Sequence, residues 1–172
     1  SVYARYFRDL GAAGANMVEV WASAWCLGLE WTPTQLGYHG LGQYNLVHAW
    51  ERDQVFRLAA EEGLLVNLVL NNHGRLSAFC DPEWKDNPYN ADNGGYLADP
   101  LAWFEDERAI RSYEKQLRYE VARYGWSPHL FAWELWSELD LAGSRYKDRP
   151  QFDPRVVAWH QRMGRFLRAL DL

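Results

Sequence analysis

The sequence predicts an α/β fold in which parallel strands alternate with helices and curve toward a barrel instead of spreading as an open sheet. Three observations predict it. Apolar stripes of helical period alternate with short apolar runs rich in β-branched and aromatic residues. The links from helix to strand are short, whereas those from strand to helix are long. The polar residues inside the apolar runs fall mostly on one side of each run.

Four stretches read as helices: 2–10, 47–62, 103–124 and 155–170. The first sets Tyr3, Tyr6, Phe7 and Leu10 on one face. The second turns Val47, Trp50, Val55, Leu58 and Ala59 inward. The third repeats Ile110, Tyr113, Leu117, Val121 and Tyr124 at spacings of three and four, and the fourth does the same with Val156, Trp159, Met163, Phe166, Leu167 and Leu170. Gly11, Gly63 and Gly125 are placed to close the first three, and Asp153-Pro154 to open the fourth. Between them, 16–22, 64–70 and 130–136 are short runs of the kind a doubly covered parallel strand requires. There is no linker or low-complexity tract, so the chain reads as one unit, 1–172.

The long links, 23–46, 71–102 and 137–154, all leave the carboxyl ends of the strands, the functional face of parallel α/β folds. They carry much of an unusual aromatic content, 16% of residues with 10 Trp and 10 Tyr. Trp25, Trp31, Tyr38, His39 and Tyr44 lie in the first link, and His73, Phe79, Trp84, Tyr89 and Tyr96 in the second. Such rings either form a small core under the loops or offer flat faces to a ligand. Sugar rings, with C–H faces and hydroxyl rims, suit the second alternative.

With 48% hydrophobic residues the chain has enough apolar content for a packed core. Net charge is −5 with no Lys/Arg run, which argues against nucleic acid as a partner. No apolar stretch reaches the roughly 18 residues of a membrane span, so no membrane partner is expected. Ser1 is preceded by no basic or apolar leader, so the expectation is a removed signal or a start inside a longer protein. Cys26 and Cys80 form no disulfide framework and no zinc pattern, and two free thiols are the simpler expectation over a single bridge.

Alternation along each run assigns the faces. Val18 and Val20, then Val66, Leu68 and Leu70, then Trp133, Leu135 and Ser137 fall on one side. Glu19 and Trp21, then Asn67, Asn71 and His73, then Glu134, Trp136 and Glu138 fall on the other. An open sheet has helices on both faces and would bury these polar groups without purpose, whereas a barrel turns one face into its lumen. Glu138 then sits at the strand mouth. Glu134, four residues back, lies about 13 Å deeper, a buried carboxylate together with Glu19. The lumen side of these three strands offers no Arg or Lys, so a partner for them is expected on strands outside this chain.

At FAWELWSELD (131–140) the sequence resembles the fourth strand of clan A glycoside hydrolases, most closely glycoside hydrolase family 5. LLVNLVLNNHG (64–74) is similar to that family's third strand and ANMVEVW (15–21) to its second. The resemblance implies a (β/α)8 TIM barrel of which this chain is an incomplete segment, strands two to four, with about three parallel strands and four helices. A full barrel takes ~250 residues. It implies Glu138 as the catalytic acid/base and His73 as a substrate contact. Asn72 and Ser137 are candidates for sugar hydroxyls, and Trp25, Trp31 and Trp136 for lining and stacking. Ser137 stands where the family carries Asn, and Glu19 where it carries Arg. Asn71 reads either as another polar contact or as a turn residue before Gly74.

The implied reaction is retaining hydrolysis of O-glycosidic bonds in a β-linked poly- or oligosaccharide. Two carboxyl groups ~5 Å apart perform it, one as nucleophile and one as acid and then base. The nucleophile is expected outside this chain, so the remainder of the barrel, from the same parent chain, is an expected partner beside the carbohydrate, and the segment alone is expected to be inactive. No cofactor or metal is expected. Secretion or a periplasmic location is what the resemblance suggests. Competing readings are a non-catalytic carbohydrate-binding barrel, a metal-dependent hydrolase using His73 with His39 or His48, and a purely structural α/β domain.

Overall fold

The computed structural model describes residues 2–171. Its elements are α1 (Val2–Ala12), β1 (Met17–Trp21), α2 (Leu46–Glu61), β2 (Leu65–Val69), α3 (Glu107–Tyr124), β3 (Leu130–Glu134) and α4 (Pro154–Leu170), with seven short 3₁₀ turns in the strand-to-helix loops. The three strands form one parallel sheet in the order β1-β2-β3. Parallel neighbours require a crossover, and α2 and α3 supply them.

The caps explain where the helices begin. Asn45 accepts from the amides of Val47 and His48, both at 3.1 Å, at the start of α2. Asp153 does the same for Arg155 at 2.9 Å at the start of α4. Asp106 accepts from Arg108 N at 2.8 Å and from Ala109 N at 3.4 Å, so α3 starts at Glu107 and not at 103; Pro100–Phe104 is instead a separate 3₁₀ turn. Gly63, at φ 68°, ends α2 in the left-handed region as its position predicts. Gly11 does not end α1: the helix runs to Ala12, and the left-handed turn falls at Gly14, φ 85°.

The core lies between the sheet and the helices. Val18, Val20, Val66 and Leu68 point into it, as alternation predicts. Its thickest part is aromatic: Trp103 packs against Tyr113, Trp136 and Trp159 at centroid separations of 5.1, 5.2 and 5.1 Å. The buried faces of α3 and α4 are largely those expected. The faces of α1 and α2 are not. Only Phe7 of α1 is buried, with Tyr6 and Leu10 exposed. On α2, Val47 and Trp50 face out, and Ala49, Arg52, Val55, Phe56 and Ala59 face in. Arg52 is the cause. It reaches Glu120 of α3 at 2.7 and 2.9 Å and the Leu27 carbonyl at 2.7 Å, and the helix rolls to bury it.

The opposite face of the sheet carries Glu19, Asn67 and Glu134. Glu19 pairs across from Asn67, and Ala132 follows on β3 after a register shift that leaves Phe131 unpaired and exposed. Asn67 Nδ2 donates to Glu134 Oε2 at 2.7 Å, which ties β2 to β3. In this chain Glu134 is half-buried and Glu19 exposed, accepting from Trp21 Nε1; burial of both is an expectation for a closed barrel, which three strands do not form. Cys26 and Cys80 are free thiols. Among the described residues no helix is long and apolar enough to cross a membrane.

Candidate active site

The three long loops meet above the carboxyl ends of the strands. Strand pairing continues into them: Ser137 N donates to Asn71 O at 2.9 Å, Gly143 N to Leu76 O at 2.8 Å and Ala78 N to Gly143 O at 2.9 Å. The second and third loops are therefore fastened together by backbone hydrogen bonds. Asn72 and His73, at the head of a 3₁₀ turn, are thereby held opposite Ser137 and Glu138. Gly74 lets the loop fold back on itself. A Cβ there would lie 2.8 Å from Asp81 O and 2.9 Å from Asn72 Nδ2, closer than any side chain tolerates.

His73 is the hub. Its ring is buried between two carboxylates. Nε2 lies 3.1 Å from Asp81 Oδ2. Nδ1 lies 3.0 Å from Glu138 Oε2, without the alignment of a hydrogen bond. Both carboxylates sit on left-handed backbone, Asp81 at φ 44° and Glu138 at φ 53°. For a residue with a Cβ this conformation is unfavourable by about 1–2 kcal/mol and persists only where the surroundings enforce it. Glu138 is half-exposed, so its carboxyl is open to a ligand.

Beside His73 is a cleft of about 530 Å³ lined by Trp21, Trp25, Asn72, His73, Asp81 and Glu83 among others. Trp25 offers a free ring, 66% exposed. Asn72 Nδ2 reaches Glu83 Oε1 at 3.4 Å. Burial pushes the Glu83 carboxyl above its ordinary range, against the opposing pull of Asn72 and Arg75. The cleft thus combines aromatic faces, amide and imidazole hydrogen-bonding groups, and carboxylates at a rim, the set that a polyhydroxylated ring calls for.

No protein-family model matches the chain, and no curated protein matches it. Solved structures do. The segment resembles part of a TIM-barrel β-mannanase. It superposes on the hyperthermostable endo-1,4-β-D-mannanase of Thermotoga petrophila RKU-1 with TM-score 0.60 and 19% identity, over 98% of this chain and 47% of that one. Another Thermotoga petrophila endo-β-1,4-mannanase gives 0.58 and 20%, over 98% and 36%. The β-mannanase of the blue mussel Mytilus edulis gives 0.53 and 15%, over 81% and 34%. The chain therefore spans between a third and a half of each of these three structures, and at these identities the likeness concerns the fold.

The structure gathers His73, Asn72, Ser137, Glu138 and Trp25 at one rim. Three other residues do not join them. Trp31 is 1% exposed and packs beside the Arg75 guanidinium, 5.9 Å from its ring, so it has no face for a sugar. Trp136 is 7% exposed and turned into the Trp103–Trp159 cluster, because regular β3 ends at Glu134 and alternation ends with it. Asn71, just past the end of β2, turns away from the lumen for the same reason and donates to Tyr113 Oη at 2.7 Å and to Leu135 O at 2.8 Å. Tyr38, Trp84 and Tyr89 are buried as well, so these loop aromatics build a small core that supports the cleft. His48 is occupied with Gly28 O at 2.9 Å and Tyr38, and His39 is exposed; neither joins the group around His73. Asp81 and Glu83 were not singled out in the sequence. Their one local signal is Asp81-Pro82, a turn-forming pair eight residues after His73.

Proposed function

We propose that this chain is the strand-two-to-four part of a retaining β-glycan hydrolase, with Glu138 as acid/base. The observation that carries the proposal is the half-exposed Glu138 carboxyl at the carboxyl end of the third strand segment, 3.0 Å from the buried ring of His73, which itself lines the cleft. In the reaction, Glu138 gives its proton to the departing glycosidic oxygen as the C1–O bond breaks. A carboxylate from the remainder of the barrel, from the same parent chain, attacks C1 from the other face and forms the glycosyl-enzyme. Glu138 then takes a proton from the water that hydrolyses it. Trp25 stacks on a sugar face, and Asn72, His73 and Ser137 engage hydroxyls. The solved structures named above are β-mannanases, which makes β-1,4-mannan the first polymer to assay.

The test uses the parent protein that contains this chain. Glu138→Ala lowers turnover of mannan by about 10²–10⁴-fold. It spares substrates with an activated leaving group, and azide restores their rate. Equal loss on both kinds of substrate, with no azide rescue, would end the acid/base assignment.

A further inference from the structure

We infer that His73, Cys80 and Asp81 form a binding site for a single zinc-class divalent cation at the lip of the cleft. One donor atom from each, an imidazole nitrogen, a thiol sulfur and a carboxylate oxygen, lies within 4.8 Å of the other two. Tetrahedral zinc holds such donors at about 2.0–2.3 Å from the metal, so the trio needs only side-chain adjustment to close on one ion. The donor types select the cation. Nitrogen with sulfur suits zinc and its borderline-soft neighbours, whereas magnesium and calcium take oxygen.

Three further observations support the site. A histidine that binds a metal through one ring nitrogen usually has a carboxylate or carbonyl at the other, which fixes the ring. His73 has a carboxylate near each ring nitrogen: Nε2 lies 3.1 Å from Asp81, and the buried Nδ1, unpartnered, lies 3.0 Å from Glu138 Oε2, which a small ring rotation would bring into line. The ligands also grade from buried His73 through half-buried Cys80 to exposed Asp81, a mouth through which an ion and its waters can enter. Ser77 Oγ accepts from Cys80 N at 3.0 Å and fixes the backbone that carries the thiol. Three protein donors leave a fourth position open to water.

The inference stands independently of hydrolase activity, and its test needs none. Zinc chloride is titrated into the reduced protein by calorimetry, with magnesium chloride as the comparison. One equivalent of zinc is expected to bind with an affinity that falls at least tenfold in both Cys80→Ser and Asp81→Asn. Asp81 is mostly exposed, so its replacement leaves the fold intact. Cys26→Ser removes the other thiol, which lies against Tyr3 Oη at 3.5 Å, and is expected to leave binding unchanged. Equal weakening by Cys26→Ser, binding unaffected by both Cys80→Ser and Asp81→Asn, or magnesium binding as tightly as zinc would each overturn the assignment.

Discussion

Glu120→Ala removes one half of an ion pair that is almost sealed from water: the side chains of Arg52 and Glu120 are 1% and 0% exposed. Arg52 would lose acceptors at 2.9 and 2.7 Å and keep only the Leu27 carbonyl at 2.7 Å. A buried charge stripped of its partner destabilises by about 3–5 kcal/mol. For a domain of this size that lowers the melting temperature by roughly 10 °C. Urea unfolding followed by tryptophan fluorescence measures the loss as a shift in midpoint at constant slope. Replacing both residues, Arg52→Met with Glu120→Leu, removes the stranded charge. It leaves the Leu27 carbonyl unpaired and takes from Gln116 Nε2 its weak 3.5 Å acceptor, about 1–3 kcal/mol, so the double variant is the more stable of the two. Leu27 is itself left-handed, at φ 61°, so the guanidinium also holds the first loop, the one that presents Trp25. A loss below about 1 kcal/mol in the single variant, or a double variant less stable than the single, would refute the reasoning.

Two further outcomes follow from burial and capping. Trp31→Ala lowers stability by about 3–5 kcal/mol in the same unfolding assay, whereas Trp25→Ala stays within about 0.5 kcal/mol and, under the proposed function, instead raises KM for oligosaccharides. Asp106→Ala removes the α3 cap and lowers stability by about 1 kcal/mol at neutral pH. Hydrogen bonds from Arg108 depress the Asp106 carboxyl to about 2 from its ordinary 3.8. The ionised form is therefore the stabilising one: the native advantage over Asp106→Ala is complete above pH 3.8 and fades as pH falls toward 2, which midpoints measured across that range would show.

The order of elements and the parallel sheet were legible in the sequence because each rests on local regularity: a helical stripe, a closing glycine, a two-residue alternation. Asn67 and Glu134 were placed correctly on the face opposite the core because both lie inside regular strand. Asn71 and Trp136 lie just past the strand ends, where a hydrogen bond to Tyr113 and a Trp-lined hollow decide orientation, and no period extends there. Arg52 defeated the amphipathic reading of α2. A charged residue on a helix normally faces water, and its partner, Glu120, is 68 residues away. Trp25 and Trp31 are the same residue type in the same loop; only tertiary packing separates the exposed ring from the buried one. Asp81 reaches His73 by a fold-back that Gly74 permits, a geometry no spacing rule encodes.

The left-handed backbone at Glu138 sets protein engineering a trap. Glycine there would relax the chain by about 1 kcal/mol and would score as an improvement in any selection for heat resistance alone. Such a selection would discard the carboxyl at the rim. Under the proposed function, directed evolution should therefore couple each round of heating to a turnover screen, so that endurance is not gained from a position where shape and chemistry disagree.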